Sequence, residues 1–239
     1  MEALIFSLAF AGIAFAVFLT ARVFDRTTTF ALAGGCAIYL GLDDLVTGLA
    51  SSSGAFAIVD GNWNWTGKIY SILLSAGMII ALRIRPESVG LRLEQNAPRL
   101  ALVAVAGFTV WGASLGLLFQ PGAPDAETLV FQALMPGTAE EMVYRGIAPA
   151  ILMGLIHGKQ VPDRMPWAVI MATAILFAVW HGLGYAAGAF DFDVLSALFP
   201  FVGSVVGGWL RFKTGSLLVP VPGHSFANVA FHLAGAVSS

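Results

Sequence analysis

Long apolar runs alternate along the chain with short breaks that gather its charged, glycine and proline residues. The runs cover roughly residues 3–22, 29–50, 67–84, 99–119, 130–157, 167–187, 194–211 and 216–236. Each comes close to the ~20 residues that a helix needs to cross a bilayer. The pattern therefore predicts an all-α fold, a polytopic membrane bundle of about eight transmembrane helices. The fifth run contains Pro136-Gly137 and the densest charged cluster of any run, so a break or re-entrant piece is expected near residue 136. The first run lacks a positive leading segment and an obvious A-x-A cleavage site, and reads as a helix rather than a removable signal peptide. No internal repeat interrupts this order.

Composition strengthens the membrane reading. The 239 residues are 58% hydrophobic and only 11% charged, against about a quarter charged in soluble domains, and the mean hydropathy is +0.83. A net charge of −2 without any basic run gives no footing for nucleic acid. A single cysteine, Cys36, excludes an internal disulfide framework and reads as a small core residue.

Charge placement orients the bundle. One set of breaks holds Arg22, Arg26, Arg83, Arg85, Arg92, Arg99, Lys159, Arg164, Arg211 and Lys213. The alternate breaks, 51–66, 120–129 and 188–193, carry only Asp and Glu, with Lys68 at their margin. Cytoplasmic loops are the cationic ones, so both termini are expected on the non-cytoplasmic face, in a membrane of the bacterial inner-membrane type. Residues 85–98 form a cytoplasmic connector that can lie on the membrane surface. The expected division is 1–98, N-terminal helices and connector, and 99–239, a catalytic core within one membrane domain.

A few polar side chains remain inside the apolar runs: Asp43, Asp44, Glu140, Glu141, Arg145, His181, His224, Asn228 and His232. A charge at the centre of a span costs about 2.5–3.5 kcal/mol, so each needs a partner. Glu141 and Arg145 stand four apart and share a helix face, which suits an internal ion pair. Glu140 points about 100° away and is left needing another partner, a candidate general base. His181 ends F-A-V-W-H, with Phe177 one turn earlier; alone it would pass for a satisfied core histidine. His224 and Asn228 lie on one stripe of the last run, where a hydrogen-bonded helix contact is the plain alternative. Asp43-Asp44 are read as a helix-end or interhelical contact.

Together, one glutamate, two histidines and one asparagine on three helices are the parts of a water-activating hydrolase. The carboxylate takes a proton from water, one histidine orients that water, and a His/Asn pair faces the developing oxyanion. Glu140, His181 and His224 could instead hold zinc with an open position. Ser225 beside His224 makes an incomplete serine motif. A proton-coupled transporter or a non-catalytic, immunity-type partner-binding protein is the rival from another class, but the inverted repeats of transporters are absent.

Three motifs carry a family likeness: E-E-M-V-Y-R at 140–145, F-A-V-W-H at 177–181 and H-S-F-A-N at 224–228. They resemble, in order and spacing, those of the CAAX-processing and bacteriocin-processing (CPBP, or Abi) intramembrane proteases, the type II CAAX prenyl endopeptidases among them. The resemblance spans roughly residues 99–236. It implies that Glu140 activates the attacking water with help from His181, that His224 and Asn228 stabilise the oxyanion, and that Glu141 and Arg145 support the architecture. It leaves a metal-free and a zinc-dependent mechanism open; asparagine, a poor zinc ligand, favours the former. The implied partners are membrane lipid and a peptide or protein substrate. The expected topology puts His181 and Glu140 in the non-cytoplasmic half, favouring an exported or membrane-tethered substrate over a cytosolic prenylated one.

Overall fold

The computed structural model describes residues 1–24, 26, 28–52, 56–157 and 163–237. Lys159, counted above on the cationic side, lies outside the described residues. The helices are α1 (Glu2–Phe24), α2 (Phe30–Ser52), α3 (Trp65–Ala81), α4 (Pro98–Phe119), α5 (Ala126–Glu141), α6 (Ala148–Leu152), α7 (Trp167–Gly182), α8 (Val194–Thr214) and α9 (Pro220–Val237). Among the described residues, α1, α4, α8 and residues 30–49 of α2 are long and apolar enough to cross a membrane, and α3 and α7 are shorter apolar helices.

Local chemistry starts and stops these helices. Asn64, Asp125 and Asp193 cap α3, α5 and α8, their side chains accepting from the amides of Gly67, Thr128 and Leu195. Pro98 opens α4, where its missing N–H costs nothing. Gly215 closes α8 at φ 79°, a left-handed conformation that suits glycine.

Two departures from the sequence pattern matter for the site. Pro136 lies inside α5 without ending it; the irregularity falls later, in a π-helical turn at Met142–Ile147 that joins α5 to α6. The sixth apolar run was expected to continue as helix to residue 187. Instead α7 stops at Gly182 and the chain turns into a hairpin, β1 (Leu183–Ala186) against β2 (Ala189–Phe192), with Leu183 opposite Phe192. The Ala187-Gly188 turn has φ 51° and 83°, the left-handed pair of a two-residue hairpin loop. Among the described residues the bundle is thus helical with one short β-hairpin.

The core lies between α1, α2, the π turn, α6 and α7, around Phe10, Phe18, Leu40, Ile147, Leu152 and Leu176. Cys36 is fully buried there, as expected, with its thiol directed at the Ala148 carbonyl. Outward-facing leucines and valines such as Leu102, Val103, Val110 and Leu118 leave α4 apolar towards its surroundings, as a lipid-facing helix requires. Opposite that face, α4 meets α9 backbone to backbone: a Cβ on Gly112 or Gly116 would overlap the main chain of Ala227 or Phe231. Such a small-xxx-small stripe is how membrane helices approach closely. It holds α9, which carries His224 and Asn228, close against α4.

Candidate active site

Glu140 ends the long helical face that begins at Gln132 and runs through Pro136, four residues per step. Its side chain is buried, 7% exposed. Oε1 accepts a hydrogen bond from the Lys68 ammonium at 2.6 Å. Oε2 is buried and has no hydrogen-bond partner among the described residues. Two imidazoles flank that free oxygen: His181 Nε2 from the last turn of α7 and His224 Nε2 from the first turns of α9, each 3.9 Å away.

The other ring nitrogens assign the protons. His181 Nδ1 lies 2.8 Å from the Phe177 carbonyl, which can only accept, so Nδ1 donates. His224 Nδ1 lies 2.9 Å from Glu141 Oε1 and donates to that carboxylate. When the rings are neutral, both Nε2 atoms therefore present lone pairs toward Glu140 Oε2. Three acceptors converge on one spot. A separation of 3.9 Å is too long for a direct bond and leaves room for a water about 2.8 Å from each atom.

Glu141 faces away from Glu140 and binds on both sides. Its Oε2 is 3.1 Å from Arg145 Nε, one turn on, and its Oε1 holds His224. The expected ion pair is present and buried, at 2% and 3% exposure, but Glu141 also fixes an imidazole of the site. Phe177 packs the group together: its ring takes the Arg145 guanidinium at 4.3 Å and meets His181 at 4.3 Å, His224 at 6.2 Å and Tyr144 at 5.0 Å. That is the physical content of the Phe in the second motif.

Asn228 donates through Nδ2 to Gln132 Oε1 at 2.8 Å, which leaves its second N–H without a partner among the described residues. His232 stands apart, edge-on to Trp63. Asp43 and Asp44 tie helices together, as expected. Asp43 accepts from Ser71 at 2.6 Å, and Asp44 accepts from Ser7 and from Trp180 Nε1.

Two residues of this arrangement were not singled out in the sequence. Lys68 was placed at a loop margin; in the fold it is in the first turn of α3, buried, and supplies the cation that Glu140 needed. Gln132 was passed over as a neutral residue. Its signal was its position, two turns before Glu140 on the same face.

A cavity of about 830 Å³ opens from this cluster, with Trp111, Phe119 and Phe199 along one side. Trp111 meets the Phe199 ring at 6.1 Å in a tilted contact and Phe119 meets it edge-on at 5.4 Å. An apolar chamber ending in a few polar groups suits an apolar chain with one bond to be positioned.

Residues 124–230 match the model of the Rce1-like family, described as type II CAAX prenyl endopeptidase Rce1-like. Over this stretch, a little under half of the chain, the sequence is similar to an Rce1-like domain. It runs from the cap of α5 into α9, and so contains Glu140, Glu141, Arg145, His181, His224 and Asn228. The family is one of membrane endopeptidases, and an integral-membrane helical bundle is the setting it requires. Lys68 falls outside the Rce1-like segment. No curated protein and no solved structure matches the chain.

The three converging atoms can be tested against zinc. Their bare Nε2 atoms, backed by a carboxylate and a carbonyl, resemble histidine ligands with their outer partners. Their spacing does not fit. Ligands about 2.0–2.1 Å from a tetrahedral ion stand roughly 3.4 Å apart, whereas both distances here are 3.9 Å. Glu140 also spends its other oxygen on an ammonium, and no cluster of three or more His, Cys, Asp or Glu among the described residues has metal-binding spacing.

Proposed function

We propose that the protein is an intramembrane endopeptidase that cleaves a membrane-tethered polypeptide with water activated by Glu140. The observation that carries this reading is the unpartnered Oε2 of Glu140, buried and 3.9 Å from each of two Nε2 atoms. A water at that point donates one hydrogen to Oε2 and the other to His181 Nε2. Its lone pair is left to attack the scissile carbonyl carbon.

As the C–O bond forms, the water proton passes to Glu140 and the carbonyl oxygen becomes an oxyanion. Asn228 offers it the second Nδ2 hydrogen, steadied by Gln132. His224 donates through Nε2 when its ring is doubly protonated, with Glu141 balancing the charge. One such donor is worth about 3 kcal/mol in the transition state. Collapse of the intermediate breaks the C–N bond, Glu140 returns its proton to the leaving amine, and a new carboxyl terminus and amino terminus result. This sequence uses side chains and water alone, with no step through a metal.

Topology supports a substrate presented from outside the cytoplasm. Lys68 is in the first turn of α3 and His181 in the last turn of α7. Both helix ends share a side with Asp60, Asp125, Glu127, Asp191 and Asp193. Arg83, Arg85, Arg92, Arg99 and Arg211 lie at the opposite ends of their helices, which the positive-inside rule places in the cytoplasm. The reading is therefore of a bacterial inner-membrane enzyme, both termini outside, acting on an exported chain held at the membrane.

The test compares membrane proteomes of cells carrying wild-type or Glu140→Gln protein at equal abundance. A truncated, membrane-associated product should appear only with the wild type. Identical proteomes would leave a binding or transport role instead. Cleavage that survives a chelator supports the metal-free route, and its loss with recovery on adding zinc overturns it.

A further inference from the structure

Glu140 has two carboxylate oxygens, and only one can serve the water between the imidazoles. What decides which is a side chain from outside the Rce1-like segment. Lys68 reaches from α3 and engages Oε1 at 2.6 Å, its ammonium resting 4.7 Å from the centre of the Trp180 ring. Trp180 is held in turn by its indole N–H, which donates to Asp44 at 2.8 Å. The root of Lys68 is fixed as well: Asn64 caps the helix at Gly67 and donates to the Thr47 carbonyl at 3.0 Å. The ammonium is thus clamped at both ends of its side chain, and its own carboxylate contact is to one oxygen.

We propose that Lys68 is a positioning residue, which orients the Glu140 carboxylate so that Oε2 alone faces His181 and His224. The proposal rests on the hydrolytic reading above and adds to it a required residue from the N-terminal helices. A single ammonium is a point donor, whereas a guanidinium is a planar fork that grips both oxygens of a carboxylate. Lysine at this position therefore leaves one oxygen free, and arginine would take both. A side chain needed only to balance a buried charge would be replaceable by arginine; one that sets the carboxylate's orientation would not.

The experiment uses the full-length protein in cells. Truncated membrane products are quantified at early times for wild type, Lys68→Arg, Lys68→Met and Glu140→Gln, with protein abundance and melting in detergent measured alongside. Lys68→Arg should keep wild-type abundance and melting while product formation per molecule falls about 100-fold, the scale of a misplaced catalytic group. Wild-type cleavage by Lys68→Arg would overturn the proposal.

Should Lys68→Arg fail to accumulate, Lys68→Met decides. A drop of similar size per folded molecule is expected, and unchanged cleavage per folded molecule overturns it. The two readings fail differently. If Glu140→Gln matches the wild type, the hydrolytic reading falls and this one with it. If Glu140→Gln loses the product while both Lys68 variants retain it, only the role of Lys68 falls.

Discussion

His224 Nδ1 donates to Glu141 Oε1 at 2.9 Å, so the second glutamate of the E-E pair holds the imidazole whose other nitrogen faces the first. Adjacent residues on a helix point about 100° apart, and this divergence lets one dipeptide serve both roles. Glu140 turns its free oxygen toward the two Nε2 atoms and Glu141 turns to the His224 ring. Arg145 then closes the second oxygen of Glu141.

Glu141→Gln should accordingly lower cleavage about 10- to 100-fold, the usual cost of losing an outer partner that orients a histidine. It also leaves Arg145 buried beside a neutral amide, and breaking a buried pair costs roughly 3–5 kcal/mol. Activity per folded molecule and melting in detergent should both fall. Unchanged melting would show that Arg145 finds another partner.

Gln132→Ala removes the acceptor that fixes the Asn228 amide. The amide can then rotate away from the oxyanion position, and kcat should drop roughly tenfold, less than the cost of deleting a donor outright. KM and melting should stay near wild type. Kinetics on the substrate found by proteome comparison provide the measurement, and a rise in KM alone would contradict this role.

Gly116→Val tests the wall that carries half of the site. The added carbons would overlap the Phe231 main chain, and overpacking of this kind costs about 1–3 kcal/mol. Separating α4 from α9 shifts His224 and Asn228 together. Melting and cleavage should therefore fall in parallel, whereas valine at Gly107, where nothing lies within 4 Å, should leave both intact.

The Asp125 cap gives a pH prediction at the membrane surface. Its carboxylate accepts from the Thr128 amide at 2.7 Å, which holds its pKa below the ordinary 3.8. A depressed carboxylate stabilises above its unfolded pKa and loses that contribution as pH falls through the lower folded value. The protection factor of the Thr128 amide in hydrogen exchange should fall in acid below pH 3.8 in the wild type. Asp125→Asn should abolish that acid step, and Asp125→Ala should leave the Thr128 amide poorly protected at every pH.

Much of the framework was legible because its causes are local. Hydropathy marks a span within a single run of residues, and each expected run contains a helix. The reading failed where causes were not local. The run 167–187 is apolar throughout, yet the last part forms a hairpin because Ala187-Gly188 takes a turn that hydropathy does not register. Pro136 looked like a break, but the π turn absorbs the irregularity several residues later.

The order of three motifs was enough by itself to nominate Glu140, His181, His224 and Asn228, since each motif is a spacing along one helix. Lys68 lies 72 residues from Glu140, and Gln132 lies 96 from Asn228. No periodicity links such pairs. Only the packing of α3 and α9 against α5 makes a lysine at the edge of a loop into the buried partner of a carboxylate. Residue type and helical repeat are properties of the chain taken in order, and they named the candidate residues. Which oxygen stays free, which nitrogen keeps its proton and which cation balances the charge depend on distances across the bundle, and folding alone sets those.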